Sequence, residues 1–355
     1  MPTIRDIARE AGVSVSTVSL AINGDPRVKN ETRELITRIA ERLGYRPTYA
    51  ARSLSSGKSW IVNVINPVQP SVLTSGFSSR FLHGVHDVAR RHRYTVSLTV
   101  IENELEAVEA IETLAFEHAS DGAILVNPSQ SDSLIETLRK HDFPHVMLGR
   151  APTDGVPSVD NDTVAVGFDA ATYLIEQDMA PILFLSGPEN QTVTQDRLAG
   201  FVQAHSDRGV TLDSRLVLHS TGVPEDARLA VKALLDDSIR FSAVLALSDA
   251  QALGAMRAIR EHGLGIPSDV AVMGMNNDDV TNYTDPTLSS IELNAFELGS
   301  RATTLLLGQI GAIQASDLQH IVDHELVLRE STSRSLSRRG DRTDTMSGHV
   351  RQGGL

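Results

Sequence analysis

Residues 3–25 read TIRDIAREAGVSVSTVSLAINGD, and this stretch decides the fold of the N-terminal part of the chain. Its first apolar residues recur at i, i+3, i+4 and i+7, the spacing of one helix face, at Ile4, Ile7, Ala8 and Ala11, with Thr3 as the cap. Gly12 permits a sharp turn. Ser14 can then cap a second helix, which the pattern predicts to bury Val15, Val18 and Ile22.

A third helix is predicted after the turn signal NGDP at 23–26. We expect Asn30 to cap this helix and Gly44 to end it, with a buried stripe at Leu35, Ile36, Ile39 and Leu43. Two helices joined by a turn of about four residues form a helix-turn-helix. The second helix of that motif fits the major groove of DNA and reads base edges with its early residues.

The charges of the chain are unevenly distributed. The net charge is −13, but residues 1–58 hold ten Lys/Arg against six Asp/Glu, so this head carries +4 and the remainder −17. A small basic head on an acidic body is expected if only the head meets phosphate groups.

Composition limits the class of protein. The 355 residues are 41% hydrophobic, which is ordinary for a globular protein, and they include no cysteine. Disulfides, thiol catalysis and cysteine-bound zinc are therefore excluded. No apolar run approaches the roughly 18 residues of a membrane span, and the N-terminus lacks the pattern of a signal peptide. We expect a cytoplasmic protein with no membrane partner.

From Trp60 onward, short β-rich runs alternate with helical stretches such as 107–117 and 227–235. Seven buried parallel strands are predicted, at 61–65, 94–100, 123–126, 145–148, 182–185, 243–247 and 270–273. Repeated βα units imply doubly wound sheets, which bind ligands outside the carboxyl ends of their strands.

Several literal strings resemble one protein family. IRDIA at 4–8, AGVS at 11–14, TVS at 17–19 and LGYRP at 43–47 closely resemble the head of lactose-repressor-type (LacI/GalR) regulators. The resemblance continues to about residue 330 through DND at 160–162, SGP at 186–188, RLAGF at 197–201, SD at 248–249, ALGAM at 252–256 and PTL at 286–288. It implies an α/β fold class, with an N-terminal all-α helix-turn-helix domain and a two-subdomain body like a periplasmic binding protein, built on doubly wound parallel sheets.

The resemblance also supplies domain limits. It implies a DNA-binding domain at 1–46, a hinge helix and linker at 47–59, and an effector-binding domain at 60–330. Within that domain we expect an N-subdomain at about 60–160 and 291–320 and a C-subdomain at about 162–289 and 321–330, with three chain crossings near 160–162, 289–291 and 320–322. The tail 331–355 is rich in Ser, Arg and Gly, and we expect it to be disordered.

The residues expected to contact DNA follow from the matching positions. The resemblance makes Val15, Ser16, Ser19 and Leu20 face the major groove. It places Ile4, Arg5, Ser14, Asn23, Arg27, Lys29 and Thr32 on or beside phosphates, and Tyr45, Thr48 and Arg52 are further DNA-binding candidates. In the hinge, Leu54 holds the position of a leucine that wedges open a base step in the minor groove. Leu20 stands where the family often has arginine, so it offers only apolar contact.

The effector site is expected in the body. The resemblance gives ligand roles to Asn127, Arg197, Ser248 and Asn276, and we add Asn66, Phe77, Arg150 and Thr221 as further candidates. We expect Asp249 to cap its helix and not to touch the ligand. Asn276 replaces an aspartate that is usual in the family. Two arginines and a lost aspartate favour an anionic effector, such as a sugar acid or a phosphorylated sugar.

Taken together, these features indicate a transcriptional repressor whose affinity for an operator is controlled by a small molecule, a sugar or sugar derivative. The tail lacks leucine heptads, so we expect a homodimer on a palindromic double-stranded operator. The alternatives are an activator or dual regulator, or a periplasmic-type sugar-binding module, which would have no use for residues 1–58. We expect no enzyme, because Gly-x-Ser-x-Gly and His-Glu-x-x-His are absent. No cofactor or metal is expected, and His83 and His86 are best explained as solvated or packed side chains.

Overall fold

The computed structural model describes residues 2–22, 24–45, 53, 57–67, 75–126, 132–150, 155–189, 191–314 and 319–333. Most of the predicted hinge and nearly all of the predicted disordered tail lie outside these ranges.

The head is a three-helix unit around a small apolar core. Its helices are α1 (Ile4–Ala11), α2 (Val15–Ile22) and α3 (Asn30–Leu43). The backbone N–H of Thr3 donates to Asp6 Oδ2 at 2.9 Å and so caps the start of α1. Gly12 and Gly44 end α1 and α3 with φ of 66° and 65°, the left-handed conformation that glycine adopts most readily. The core is closed by three side chains of 0% exposure, Ile7, Val18 and Ile36.

Two details of the head differ from the sequence prediction. Helix α3 begins at Asn30, so Lys29 holds the N-cap position and Asn30 does not cap it. Val15 and Leu35, predicted to be buried, are 42% and 40% exposed. The buried stripe of α2 is centred on Val18, and that of α3 on Ile36 and Ile39. Val15 and Leu35 lie beside these stripes.

The first sheet of the body has six parallel strands in the order β11-β5-β4-β3-β1-β2. Its strands are β1 (Ile61–Pro67), β2 (Thr95–Ile101), β3 (Gly122–Val126), β4 (His145–Leu148), β5 (Ser158–Asn161) and β11 (Gln319–Val322). The helices of this N-subdomain are α4 (Gly76–Arg91), α5 (Glu104–Phe116), α6 (Asp132–Lys140) and α11 (Ala295–Gln309).

The second sheet has four parallel strands in the order β7-β6-β8-β9. Its strands are β6 (Ile182–Ser186), β7 (Val217–His219), β8 (Ala243–Ala246) and β9 (Ala271–Met273). The helices of this C-subdomain are α7 (Thr163–Glu176), α8 (Thr192–Asp207), α9 (Pro224–Asp236) and α10 (Asp249–Glu261), and short 3₁₀ turns lie at Ser214–Leu216, Asp279–Tyr283 and Glu330–Thr332. All seven predicted strands are therefore present, within one or two residues of their predicted ends.

The chain crosses between the subdomains at three places. It leaves the first sheet after β5, returns through β10 (Ser290–Glu292) and leaves again after β11, and β10 pairs antiparallel with β12 (Glu325–Val327). Residues 320–322, predicted as the third crossing, still pair with β5, so the chain leaves this sheet about two residues later.

The C-terminal boundary also differs from the prediction. Ser331 and Thr332, assigned to the disordered tail, are 0% and 1% exposed. The hydroxyl of Ser331 donates to the carbonyl of Val272 at 2.6 Å, next to β9. These small polar residues are ordered because they pair with backbone groups of the sheet, which composition alone does not reveal.

None of the helices in the described ranges is long and apolar enough to span a membrane.

Helices α7 and α8 touch through their backbones. A Cβ added to Gly200 would lie 2.0 Å from the carbonyl oxygen of Val164, and one added to Gly167 would lie 2.1 Å from that of Arg197. No other residue fits at either position without separating the helices. This close approach fixes the position of α8 and of the arginine that it carries.

We expect Gly200→Ala to lower the free energy of unfolding by about 1–3 kcal/mol, because the added methyl group overpacks the α7–α8 contact. Urea denaturation followed by circular dichroism measures this change. Gln203→Ala, on the exposed face of the same helix, is the control and is expected to stay within about 0.5 kcal/mol. Equal stability of both variants would contradict the close-packing argument.

Candidate functional site

A cavity of about 150 Å³ lies between the subdomains. Ser75 and Phe77, at the start of α4, line it from the N-subdomain. Its polar lining on the C-subdomain side follows strands β6, β8 and β9 and includes Gln191, Arg197, Ser248, Gln251, Asn276 and Asp278. The cavity therefore lies outside the carboxyl ends of the strands, where doubly wound sheets bind their ligands.

Arg197 is buried in the wall of this cavity, with 8% of its surface exposed. Its Nη1 donates to the carbonyl of Leu247 at 3.2 Å, whereas its Nε has no hydrogen-bond partner within the described residues. Burial lowers the pKa of Arg197 to about 10, and the nearby Asp160 carboxylate offsets part of that effect. The guanidinium thus stays charged at neutral pH and has a donor left for a ligand.

Asp278 is a cavity residue that sequence reasoning missed. It is 8% exposed, and its Oδ1 has no hydrogen-bond partner within the described residues. The start of α4 presses against it, since a Cβ on Gly76 would lie 2.5 Å from this oxygen. Burial raises the pKa of Asp278, whereas the backbone N–H of Gly76, the charge of Arg80 and the backbone N–H of Phe77 act in the opposite direction. The sequence did contain a signal for this residue, because Asp278 is acidic and follows the predicted strand 270–273 by a few residues.

Ser248 and Asp249 have different roles from those expected at the start of α10. Ser248, predicted as a ligand residue, lines the cavity and is also the cap, because its Oγ accepts from the N–H of Gln251 at 3.2 Å. Asp249, predicted as the cap, is the first helical residue and is 0% exposed. The prediction failed because serine and aspartate are equally good caps.

The carboxylate of Asp249 connects the cavity loop to a crossing strand. One oxygen accepts from the N–H of Asp278 at 2.7 Å, and the other accepts from the hydroxyl of Ser290 in β10 at 2.5 Å. Burial raises the pKa of Asp249 to about 7, although both hydrogen bonds favour the charged form. Gly274 leaves room for this carboxylate, since a Cβ there would lie 2.2 Å from Oδ1.

The predicted effector residues divide into three groups. Phe77, Arg197, Ser248 and Asn276 line the cavity, and Asn276 has a left-handed backbone with φ of 106°. Arg150, Thr221 and Asn66 are placed outside its lining. Asn127 lies outside the described residues.

Arg150 lies outside the cavity lining, so it no longer supports the prediction of an anionic effector. Its guanidinium is half-exposed and binds Asp196 through two hydrogen bonds of 2.8 and 3.0 Å. Thr221 is exposed and donates to Asp226, and Asn66 is buried at the end of β1. Among the described residues, the lining therefore carries the guanidinium of Arg197 and the carboxylate of Asp278.

The predicted DNA-contacting residues are spread over the head. Val15 and Ser16 are exposed at the start of α2, whereas Ser19 is half-buried and Leu20 packs partly against the head core. Ser14 is exposed and accepts from the N–H of Thr17 at 3.1 Å. Of the others, Arg5 and Lys29 are exposed and Ile4, Thr32 and Tyr45 are half-buried. Asn23, Thr48, Arg52 and Leu54 lie outside the described residues.

Arg27, a predicted phosphate contact, is engaged within the head. Its Nε and Nη2 donate to Asp25 at 2.9 and 2.7 Å. These hydrogen bonds lower the pKa of Asp25 to about 2. Contact with a phosphate would have to compete with this pair.

In the described parts of the chain, no group of three or more His, Asp or Glu side chains could hold a metal ion. His83, one of the two histidines three residues apart, packs edge-on against the ring of Phe296 at 5.2 Å between centroids.

Comparisons with known proteins agree with this architecture. Residues 3–48 match the family model for bacterial regulatory proteins of the lacI family, and residues 171–332 match that for a periplasmic binding protein-like domain. The chain is 31% identical over 332 residues to the HTH-type transcriptional repressor CytR of Escherichia coli (strain K12), covering 93% of this chain and 96% of that protein. It is 28% identical over 335 residues to catabolite control protein A of Priestia megaterium, covering 93% and 99%.

Solved structures show the same fold. A complex of the transcriptional regulator CelR with cellobiose has a TM-score of 0.72 at 27% identity, covering 93% of this chain and 100% of that one. The lac repressor dimer bound to operator and the anti-inducer ONPF has a TM-score of 0.81 at 24% identity, covering 93% and 99%.

The raised pKa of Asp249 predicts a pH-dependent stability. Its folded pKa of about 7 lies above the unfolded value near 3.9, so its favourable contribution is complete below about pH 4 and is lost as the pH rises through 7. The stability advantage of the unmodified protein over Asp249→Asn should therefore shrink between pH 4 and 8, by on the order of 1–4 kcal/mol.

Urea denaturation at a series of pH values measures this difference. Asp279→Asn, an exposed neighbour, is the control and should keep the pH profile of the unmodified protein. A difference between the unmodified protein and Asp249→Asn that grows with pH would show that Asp249 is ionised in the folded state throughout this range.

Proposed function

The chain belongs to the LacI family of bacterial regulatory proteins and is a DNA-binding transcriptional regulator, and from that premise we propose that it is a repressor. In this proposal a homodimer binds a palindromic operator in the bacterial cytoplasm, at the nucleoid. A small molecule in the cavity between the subdomains changes its affinity for that operator.

The observation that carries this proposal is the composition of the cavity wall. Phe77 comes from the N-subdomain, and Arg197 and Asn276 come from the C-subdomain, so a ligand there contacts both. Such a ligand binds the closed arrangement more tightly than an open one and shifts the population between them. The two hinges of a dimer then change their spacing, which couples the cavity to DNA affinity.

The charges and volume of the cavity favour an uncharged effector of about one sugar ring. The charges of Arg197 and Asp278 in the described lining offset each other, and guanidinium N–H groups and carboxylate oxygens both suit hydroxyl groups. The volume of about 150 Å³ is below the roughly 300–1,000 Å³ of sites for drug-sized ligands. Cellobiose in the CelR complex shows that a sugar binds that relative. We therefore propose a neutral sugar or sugar derivative in place of the anionic effector.

An activator or dual regulator is the second candidate. It shares the head and the cavity and differs in where the operator lies relative to the promoter. The position of the recovered operator distinguishes it from a repressor.

The experiment that tests the DNA-binding part is selection of genomic fragments by the purified full-length protein, followed by sequencing. We expect a palindrome with a central CG step, because paired hinge helices carrying Leu54 would open a central step. The control is the body alone, from residue 60, which should enrich nothing. If the full chain enriches nothing either, the selection is repeated with added cell metabolites. Failure of both selections would contradict the proposal.

Arg197→Ala tests the effector part. The variant should keep its operator affinity within about twofold, because the residue lies in the body. It should need at least 10-fold more effector for half-maximal response, because charge-assisted hydrogen bonds contribute about 1.5–3 kcal/mol. Fluorescence anisotropy with the recovered operator, and with the effector inferred from its neighbouring genes, measures both.

Arg208→Ala is the matched control, since Arg208 lies just after the same helix and pairs with Glu176 at 2.7 Å. An unchanged effector response in Arg197→Ala would show that the ligand does not contact this guanidinium.

A further inference from the structure

Arg80 lies in the second turn of α4, and its guanidinium contacts the C-subdomain and a crossing strand. Its Nη1 donates to Glu292 Oε2 in β10 at 3.2 Å. Its Nη2 donates to the backbone carbonyl of Asn276 and lies 3.7 Å from Asp278 Oδ1. One side chain of the N-subdomain therefore contacts a backbone carbonyl and a carboxylate of the C-subdomain, together with a carboxylate of a crossing strand.

The loop that Arg80 contacts is in an unusual conformation. Asn276 and Asn277 have φ of 106° and 50°, a region that residues other than glycine seldom adopt. Asn277 is held by Glu292, which accepts from its Nδ2 at 3.0 Å, and by Arg329, which donates to its Oδ1 at 2.7 Å. A strained loop persists only when its surroundings fix it, and Arg80 and the start of α4 are parts of those surroundings that come from the other subdomain.

Other arginines on the same helix behave differently. Arg91 pairs with Asp87, one turn away in α4, and is 65% exposed, whereas the side chain of Arg80 is 31% exposed. The Arg91 pair stays intact whatever the subdomains do. The Arg80 contacts with Asn276 and Asp278 instead join α4 to a loop of the C-subdomain.

We propose that Arg80 is a positioning residue that makes the shape of the effector site depend on closure of the two subdomains. On closure, its guanidinium donates to the carbonyl of Asn276 and lies against Asp278. These contacts position both residues in the cavity lining. On opening, Asp278 and Glu292 lose their shared cation. This inference rests on the proposed function only in treating the cavity as an effector site.

The electrostatics explain why an arginine is needed there. Asp278 and Glu292 are both acidic and approach the same guanidinium, and Asp278 is buried. Without a cation from α4, desolvation of Asp278 opposes closure. The planar guanidinium can donate to a carboxylate and a carbonyl at the same time, and a lysine ammonium does this less well.

Hydrogen exchange on the ligand-free full-length protein tests the link directly. In Arg80→Gln, we expect amides of the first turn of α4 (residues 76–81) and of the loop 274–279 to exchange about 10-fold faster. Amides of β6 and β8 should not change. Arg91→Gln is the matched control, with the same substitution in the same helix, and should leave both segments as in the unmodified protein.

Arg80→Lys keeps the charge without the planar guanidinium and should give an intermediate rate, which a purely packing role would not produce. If Arg80→Gln leaves exchange in both segments unchanged, or if Arg91→Gln accelerates them equally, the proposal is overturned. Faster exchange throughout the body would also overturn it, because the effect would then be general destabilisation.

The functional consequence is measured separately, with operator and effector. Arg80→Gln should raise the effector concentration for half-maximal response about 10-fold, because the apparent dissociation constant is the intrinsic one divided by the fraction of closed protein. An unchanged concentration would overturn the link to the site. If the unmodified protein binds no operator, the proposed function fails, while the exchange data still decide the role of Arg80 in closure.

Discussion

One buried amide holds together the three chain crossings on which the rest of the body depends. The Nδ2 of Asn161, at the end of β5, donates to the carbonyl of Leu293 at 3.2 Å and to that of Val322 at 2.8 Å. Each of the three residues belongs to a different crossing. Because both amide hydrogens are used and the group is 5% exposed, loss of the side chain would leave two carbonyls without their partner. The amide therefore ties together the chain segments that lead into the crossings.

The two functional ends of the body lie at opposite ends of the same sheet. The cavity is at the carboxyl ends of the strands, and the chain from the head enters at the start of β1. There Asp121 accepts from the N–H groups of Ser59 and Trp60 at 2.6 and 3.1 Å, and the Lys58 ammonium donates to the carbonyl of Ile310 at 2.9 Å. Trp60 has φ of 58°, which a bulky residue adopts only when it is held. These contacts hold residues 58–60 of the connecting chain against the N-subdomain.

The sequence predicted strands most accurately where both faces of the strand are buried, because such a strand needs a continuous apolar run. The strand Gly122–Val126 is buried along its whole length, and its apolar run predicts it directly. By contrast, the short strand Gln319–Val322 has exposed and half-buried residues and exists because β5 offers it an edge. The residues of the effector site also differ in whether the sequence could indicate them. Arg197 and Ser248 follow strand ends within recognisable strings, whereas Arg80 and Asn276 are 196 residues apart. No local pattern indicates a contact that only the closed fold creates.

The distribution of acids around the cleft explains why charge is a weak basis for inferring its ligand. Burial raises the pKa of Asp160 to about 6 and that of Asp249 to about 7, and the pKa of Asp278 is also raised. Arg197 and Arg80 offset these groups across the same few ångströms. An anionic ligand would lose its hydration and meet Asp278 in the lining, with the guanidinium of Arg197 as compensation. A hydroxylated neutral ligand avoids that desolvation and can use both the donor and the acceptor. The arginine that suggested an anion from sequence therefore favours a neutral ligand once its carboxylate neighbours are placed beside it.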